Sequence, residues 1–388
     1  MKILLVSNYQ PPHMGGIEFA AGALKRCWER DGHTVTWLTT DIPRGGQPST
    51  AENVRIPACN VFERLWEINS PIVSPCGYPR IRKLIREHDI VNIHSLAPGL
   101  SSVCLSAAIR CRRPAVVTQH VAIIPLASKL LTAVQHHVIC AAARRAVRQD
   151  IPLTFVGEAV RRWFIEESGI PAEMTHMTPA GIEPDKYFLV PDSERAALMR
   201  KWNLPENQFK VLFVGRFYEK KGLQLIRKVA EQCPDILFSF RGSGPDDPEA
   251  WKLPNVRILP MVTDEELREI YGCHDLFIMP SIGEGWPAVI PQAMACGLGC
   301  MISEETFQGY NRDRDRFIVV PRNADAIVKQ LNDAKEDRIP WLKNRVRISD
   351  YAVRTWDWQQ TARIYSEIFE RQVQNAGRSD GRQADLHE

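Results

Sequence analysis

No apolar run in this 388-residue chain reaches the roughly 18–20 residues that a membrane-spanning helix needs, so an integral membrane protein is not expected. The ten cysteines include no C-x-x-C pair. Around Cys296 and Cys300 no His or acid completes a metal-ligand spacing, which removes the zinc-site and disulfide-framework classes. Most of these cysteines read as small core hydrophobes. The chain opens on a strand pattern, without a signal-peptide pattern, and together with its unpaired cysteines this points to reduced thiols in the cytoplasm. G-x-G-x-x-G is absent, so a dinucleotide cofactor has no support. Acidic residues are missing altogether from Ile90 to Gln149, while Arg110, Arg112, Arg113, Lys129, Arg144, Arg145 and Arg148 are all basic. No aromatic residues are interleaved with these charges, which argues against nucleic acid.

What is present is an alternation of apolar runs with amphipathic stretches. Charged residues at 24% and hydrophobic ones at 44% are those of a globular protein, and the length predicts two domains. Lys2–Ser7 reads as a buried strand. A loop ending in Met14, Gly15 and Gly16 follows, then a helix from about Ile17 to Arg30. Thr34–Thr39, Ile90–His94, Ala115–Thr118 and Leu153–Val156 read as further parallel strands, with helices near Pro79–His88 and Leu100–Arg112. Phe209–Gly215 begins a second set, continued by Ile236–Arg241 and Val256–Leu259. Trp356–Phe369 reads as an amphipathic helix. Leu126–Arg148 is a further helical candidate, with Leu126, Leu130, Val134 and Val138 on one i, i+4 row. It suits either an anionic lipid or phosphorylated surface or a core-packed helix whose terminal arginines complement its dipole.

The most informative stretch is Leu276–Cys300. A short strand (Leu276–Met279) leads into a turn-rich loop (Pro280–Pro287) carrying Glu284, and a helix is expected to open near Pro291. A strand, a loop and a helix start make an anion-binding arrangement. Glu284 in such a loop suits a neutral or cation-like partner, such as sugar hydroxyls or a sugar carbon losing a phosphate. Gly215-Arg216-x4-Lys221-Gly222 places two cations at another strand–helix turn, as a leaving diphosphate would need. His94 and His120 fall at strand carboxyl ends, where open α/β sheets bind ligands. Asp313-Arg314-Asp315 is formally an acid pair for a metal, but its interleaved arginines read as self-paired surface charge.

The Glu284 segment resembles the E-x7-E signature of retaining glycosyltransferases of family 4, with Gln292 in place of the second acid. The Arg216–Gly222 motif resembles the family's diphosphate-binding turn, and Gly15-Gly16-Ile17-Glu18 its GGxE loop. His120 resembles its active-site histidine. Pro179–Glu183 resembles the segment entering the second domain, with Ala180 where Asn is usual, and Glu304–Arg316 is more charged than the usual loop.

The resemblance implies an α/β GT-B fold, two Rossmann-like domains with parallel sheets facing across a cleft. An acceptor-binding domain (1–185) would precede a nucleotide-sugar domain (186–350), a helix (351–373) crossing back to the first, and a disordered tail (374–388). It implies Glu284, His120, Arg216 and Lys221 as catalytic. The donor would be held by Gly15, Gly16, Arg216, Lys221, Glu284, Gly285 and Gln292. No cofactor or obligatory metal is expected. The implied partners are a nucleotide-sugar donor, a glycan or lipid-linked acceptor and the inner face of an anionic membrane, with no nucleic acid. An inactive nucleotide-sugar-binding relative and a hydrolysing epimerase of the same fold remain as alternatives.

Overall fold

The computed structural model describes residues 1–11, 15–42, 49–61, 70–123, 128–282 and 284–384. The chain forms two compact units, Met1–Pro179 with Trp358–Glu388, and Ala180–Asp357. The handover therefore precedes residue 186. The second unit runs past residue 350.

In the first unit the strands are β1 (Lys2–Val6), β2 (Thr34–Thr40), β3 (Asn53–Ile56), β6 (Ile90–His94), β7 (Ala115–Gln119), β8 (Leu153–Phe155) and β9 (Thr175–Met177). They form a parallel sheet in the order β3-β2-β1-β6-β7-β8-β9, and a short antiparallel pair, β4 (Ala58–Cys59) and β5 (Ile72–Val73), stands apart. Near-continuous apolar runs such as Ile3–Val6 are what a sheet covered on both faces requires. The order reverses beside β1, so the loops after β1 and β6 open at the crevice where such sheets bind ligands.

The second unit repeats this plan with β10 (Lys210–Val214), β11 (Leu237–Arg241), β12 (Val256–Leu259), β13 (Leu276–Met279), β14 (Gly299–Ser303) and β15 (Ile318–Val320), ordered β12-β11-β10-β13-β14-β15. Here the reversal lies between β10 and β13. The loops after those two strands carry Arg216, Lys221 and Glu284.

Several elements depart from the sequence expectation. The helix after Glu284 opens at Val289 and ends at Ala295, so Pro291 is its third residue rather than its first. With only seven residues and no side-chain cap, it makes a weaker anion site than the sequence suggested. Trp356 does not lie on the terminal helix. It follows the helix Arg345–Thr355 and packs in the second unit, edge-on to Trp286 (6.4 Å) and Tyr310 (5.5 Å). The terminal helix begins at Trp358 and continues to Ala384, past residue 374 where a disordered tail was expected to begin. It packs on the first unit through Tyr365 and Phe369, whose rings lie 5.6 and 5.3 Å from Trp28. Its register is fixed by Trp28 Nε1–H donating to the Ala362 carbonyl at 3.3 Å. Glu304–Arg316 is not a loop throughout, because Glu304–Tyr310 is helical. Met14, Leu126 and residues 385–388 lie outside the described residues.

Candidate active site

In the second unit the site is built from three strand-end loops tied together by backbone. Phe217 N–H donates to the Ser243 carbonyl at 2.8 Å, and Ile282 N–H to the Lys220 carbonyl at 2.8 Å. So close an approach leaves no room for side chains at two turns. A Cβ on Gly242 would stand 1.8 Å from the Gly215 carbonyl oxygen, and one on Gly222 (φ +79°) 2.5 Å from that of Pro280. The glycine after Lys221 is thus required by the neighbouring loop as well as by its own left-handed backbone.

This lattice brings Lys221 and Glu284 together. Lys221 Nζ stands 2.8 Å from Glu284 Oε1, with the two side chains only 11% and 12% exposed. The ammonium is the ionic partner of the buried Oε1, to which no further hydrogen-bond donor is brought among the described residues. A carboxylate oxygen left in that condition is costly unless a ligand hydroxyl completes it. Burial draws the Lys221 ammonium below its ordinary pKa against the opposing pull of Glu284, and the nearby Lys220 and Arg216 add to the lowering. Arg216 is exposed, its guanidinium 5.3 Å from the centre of the Tyr218 ring. Gln292 is partly exposed on the short helix.

The far side of the Glu284 loop rests on the helix Glu304–Tyr310. Tyr310 Oη donates to the Pro287 carbonyl at 2.6 Å, and Ser303 Oγ to that of Ser281 at 2.6 Å. A Cβ on Gly309 would fall 2.6 Å from the Gly285 carbonyl oxygen. The charges that set this segment apart in the sequence face outward and pair among themselves. Arg314 meets Glu304 at 2.6 Å, Arg312 meets Asp313 at 3.1 Å and Arg316 meets Asp315 at 3.6 Å. Among the described residues no group of three or more His, Cys, Asp or Glu side chains is placed to hold a metal.

In the first unit, Gly15 caps the helix Gly16–Arg30 with extended backbone. The buried Glu18 carboxylate folds back over it, and Oε2 would stand 2.2 Å from a Cβ at that position. His94 and His120 end neighbouring strands, and His94 Nδ1 lies 2.9 Å from His120 Nε2. His94 is buried, and its Nε2 lies 2.8 Å from Asn92 Oδ1. Burial, with His120 adding to it, holds His94 well below the usual histidine range, and burial lowers His120 to about 4. Ser95, next in the chain, has φ +78°, an uncommon backbone for a residue other than glycine.

The relay behind His120 was not read from the sequence. Its signal was present: Asn92 and His94 are two apart on β6 and share a face, and His120 directly follows β7. The buttress Ser281–Ser303–Tyr310 left no comparable signal.

On the helix Lys129–Val147 the residues Leu130, Val134 and Val138 are 73%, 51% and 38% exposed. The second half of the helix buries Ile139, Cys140, Ala143 and Ala146. The core-packed alternative therefore holds only for that half. Among the described residues no helix is long and apolar enough to cross a membrane.

Two Rossmann-like parallel-sheet units, each with its strand order reversing beside its first strand, define the class, a GT-B protein. Two family descriptions match in tandem, "Glycosyltransferase Family 4" over residues 14–186 and "Glycosyl transferases group 1" over residues 194–355. The chain belongs to the family 4 type of GT-B glycosyltransferases. It is 28% identical over 222 residues to the alpha-galactosylglucosyldiacylglycerol synthase of Streptococcus pneumoniae, a match covering 54% of this chain and 56% of that protein. Over 391 residues it is 26% identical to the phosphatidyl-myo-inositol mannosyltransferase of Mycolicibacterium smegmatis, covering 95% and 94% of the two chains. The Anabaena protein HepE, solved in complex with UDP and glucose, superposes with a TM-score of 0.72 at 17% identity, covering 95% of this chain and 99% of that one.

Proposed function

We propose that the protein transfers a hexosyl group from a nucleotide sugar to a lipid-linked or glycan acceptor, with retention of anomeric configuration. The observation that carries this reading is the Lys221–Glu284 pair, almost fully buried between the strand-end loops of a family 4 chain. Lys221 and the exposed Arg216 would bind the diphosphate and stabilise its charge as it leaves. Glu284, with the backbone of Gly285, would face the sugar, where a negative charge favours a carbon that becomes cation-like. Gln292 would accept from one ribose hydroxyl. Gly15 and Gly16 would let backbone N–H groups approach the donor, and His120 would contact its sugar.

The bond from the anomeric carbon to the phosphate oxygen breaks, and a bond to the acceptor oxygen forms on the same face. The acceptor's proton passes to the departing phosphate, so neither a protein nucleophile nor a metal is required. A lipid-linked acceptor is favoured by the relatives named for glycolipid synthesis. It is also favoured by the exposed row Leu130, Val134 and Val138, which has Lys129 at its start and Arg144, Arg145 and Arg148 beyond it. An anionic bilayer would take such a surface.

The test is incubation of the purified protein with a panel of nucleotide hexoses, UDP-sugars first, with and without vesicles of anionic glycolipid. Acceptor-dependent release of nucleoside diphosphate, with an axial product bond from an axial donor, is expected. Release of free sugar alone, whatever the acceptor, would favour the epimerase alternative. Binding without any release would favour the inactive relative.

A further inference from the structure

The polar side chains of the first unit form a continuous line behind His120. In register, His94 on β6 lies beside Thr118 on β7, and Thr118 beside Thr154 on β8. With the period of two along a strand, Asn92 and His94 face the same side of the sheet as Thr118 and Thr154. That side is covered by the terminal helix, whose Tyr365 Oη reaches Thr118 Oγ1 at 2.9 Å, Thr154 Oγ1 at 3.2 Å and Thr178 Oγ1 at 3.0 Å. Asn92 Nδ2 donates to Thr118 Oγ1 at 3.0 Å. The line thus runs from the helix through Thr118, Asn92 and His94 to His120.

We propose that Asn92 and His94 are positioning residues that lock His120 as the tautomer protonated on Nε2, leaving Nδ1 as an acceptor for a substrate hydroxyl. The hydrogen-bond arithmetic leads there. Both rings are neutral, so each has one donor and one acceptor nitrogen. With its amide nitrogen committed to Thr118, Asn92 turns its oxygen to His94, which must then carry its proton on Nε2. His94 Nδ1 is left as an acceptor, and the 2.9 Å contact is donated by His120 Nε2–H. Nδ1 of His120 has no hydrogen-bond partner among the described residues. An imidazole held this way can take a proton-sharing contact from a sugar hydroxyl but cannot donate one. The inference rests on the reading that places His120 at the donor sugar.

The experiment is NMR of the ring nitrogens in protein labelled with 15N-histidine, with His120 assigned by His120→Gln. The wild type is expected to show His120 protonated on Nε2. His94→Leu should give a mixture of tautomers and lower kcat/KM about 3- to 10-fold, the size of one lost neutral hydrogen bond. His94→Asn, which places an amide oxygen where Nδ1 stood, should restore both. A wild-type His120 protonated on Nδ1, or a tautomer ratio unmoved by His94→Leu, would overturn the proposal. If His94→Leu does not fold, the wild-type spectrum still decides. Full turnover by His120→Ala would refute the role given to His120 itself, independently of which nitrogen carries the proton.

Discussion

Each unit brings a pair of polar side chains together at strand carboxyl ends, those of β6 and β7 in the first and of β10 and β13 in the second, and the two solve the burial of that pair in opposite ways. In the first, His94 and His120 are kept neutral and their hydrogen bonds run on through Asn92 and Thr118 as far as Tyr365, with Nδ1 of His120 left for a ligand. In the second, Lys221 and Glu284 remain an ion pair, with a buried carboxylate oxygen to which no donor besides the ammonium is brought among the described residues. A satisfied neutral network is rigid and specifies geometry. A half-satisfied charged pair is poised for a ligand. Side chains and backbone hold the loops in both units: Leu96 N–H donates to Gln119 Oε1 at 2.9 Å and Ser95 N–H to the Thr118 carbonyl at 2.8 Å in the first, while Tyr310 and Ser303 buttress the backbone-tied loops of the second.

The contrast can be broken most severely at Glu284. Glu284→Gln keeps size and an accepting oxygen but removes the charge, and kcat should fall about 100- to 1,000-fold, the loss typical of a group that stabilises charge in the transition state. Donor KM should move far less, which steady-state kinetics will show. The backbone lattice can be broken without touching either pair. Gly242→Ala forces a Cβ against the Gly215 carbonyl, and by the usual cost of a displaced strained turn should lower stability by about 1–3 kcal/mol. Chemical denaturation measures this, and an unchanged midpoint would mean that the loops are not tied as described.

Acid sharpens the comparison. His120 is lowered to about 4 and His94 lies well below its usual value, against an unfolded value of about 6.5. The folded state therefore binds fewer protons than the unfolded chain. The stability these rings contribute is complete above about pH 6.5 and is lost as pH falls toward their folded values. Melting temperature should drop on acidification from pH 7 to 5, and drop less steeply in His120→Gln. Parallel curves would contradict the neutral pair. The smallest effect is expected at Gln292. Because ribose changes no charge during transfer, Gln292→Glu should shift donor KM several-fold and leave kcat nearly alone, with about 0.5–1.5 kcal/mol at stake in one hydrogen bond. An enzyme switched on from no activity by that change would favour the inactive-relative reading.

Much of the fold was legible because its central strands are apolar runs. Ile90–His94, Val256–Leu259 and Leu276–Met279 coincide with the strands observed. The edge strands Asn53–Ile56 and Thr175–Met177 were not read, being short and polar enough to resemble connectors. Gly299–Ser303 was hidden behind a glycine-rich turn. Trp356 was assigned to the wrong element because an apolar aromatic reads alike in either core. Within the site, Arg216–Gly222 and Glu284–Gln292 were legible as contiguous motifs. The contact of His94 with His120 was not, since it depends on β6 and β7 lying side by side, and the support given by Tyr310 to Pro287 depends on a fold across chain-distant loops.

The central claim is that the second unit's cations hold a nucleoside diphosphate. Calorimetric titration of UDP, GDP and ADP into the wild type, Lys221→Ala and Arg216→Ala tests it most directly, since binding is read apart from turnover. At least one nucleotide should bind the wild type. Each substitution should weaken that affinity about 10- to 150-fold, corresponding to the roughly 1.5–3 kcal/mol of one charge-assisted contact, while the melting temperature of free Arg216→Ala, whose side chain is exposed, stays within a few degrees of the wild type. Equal affinity in all three proteins would contradict the account.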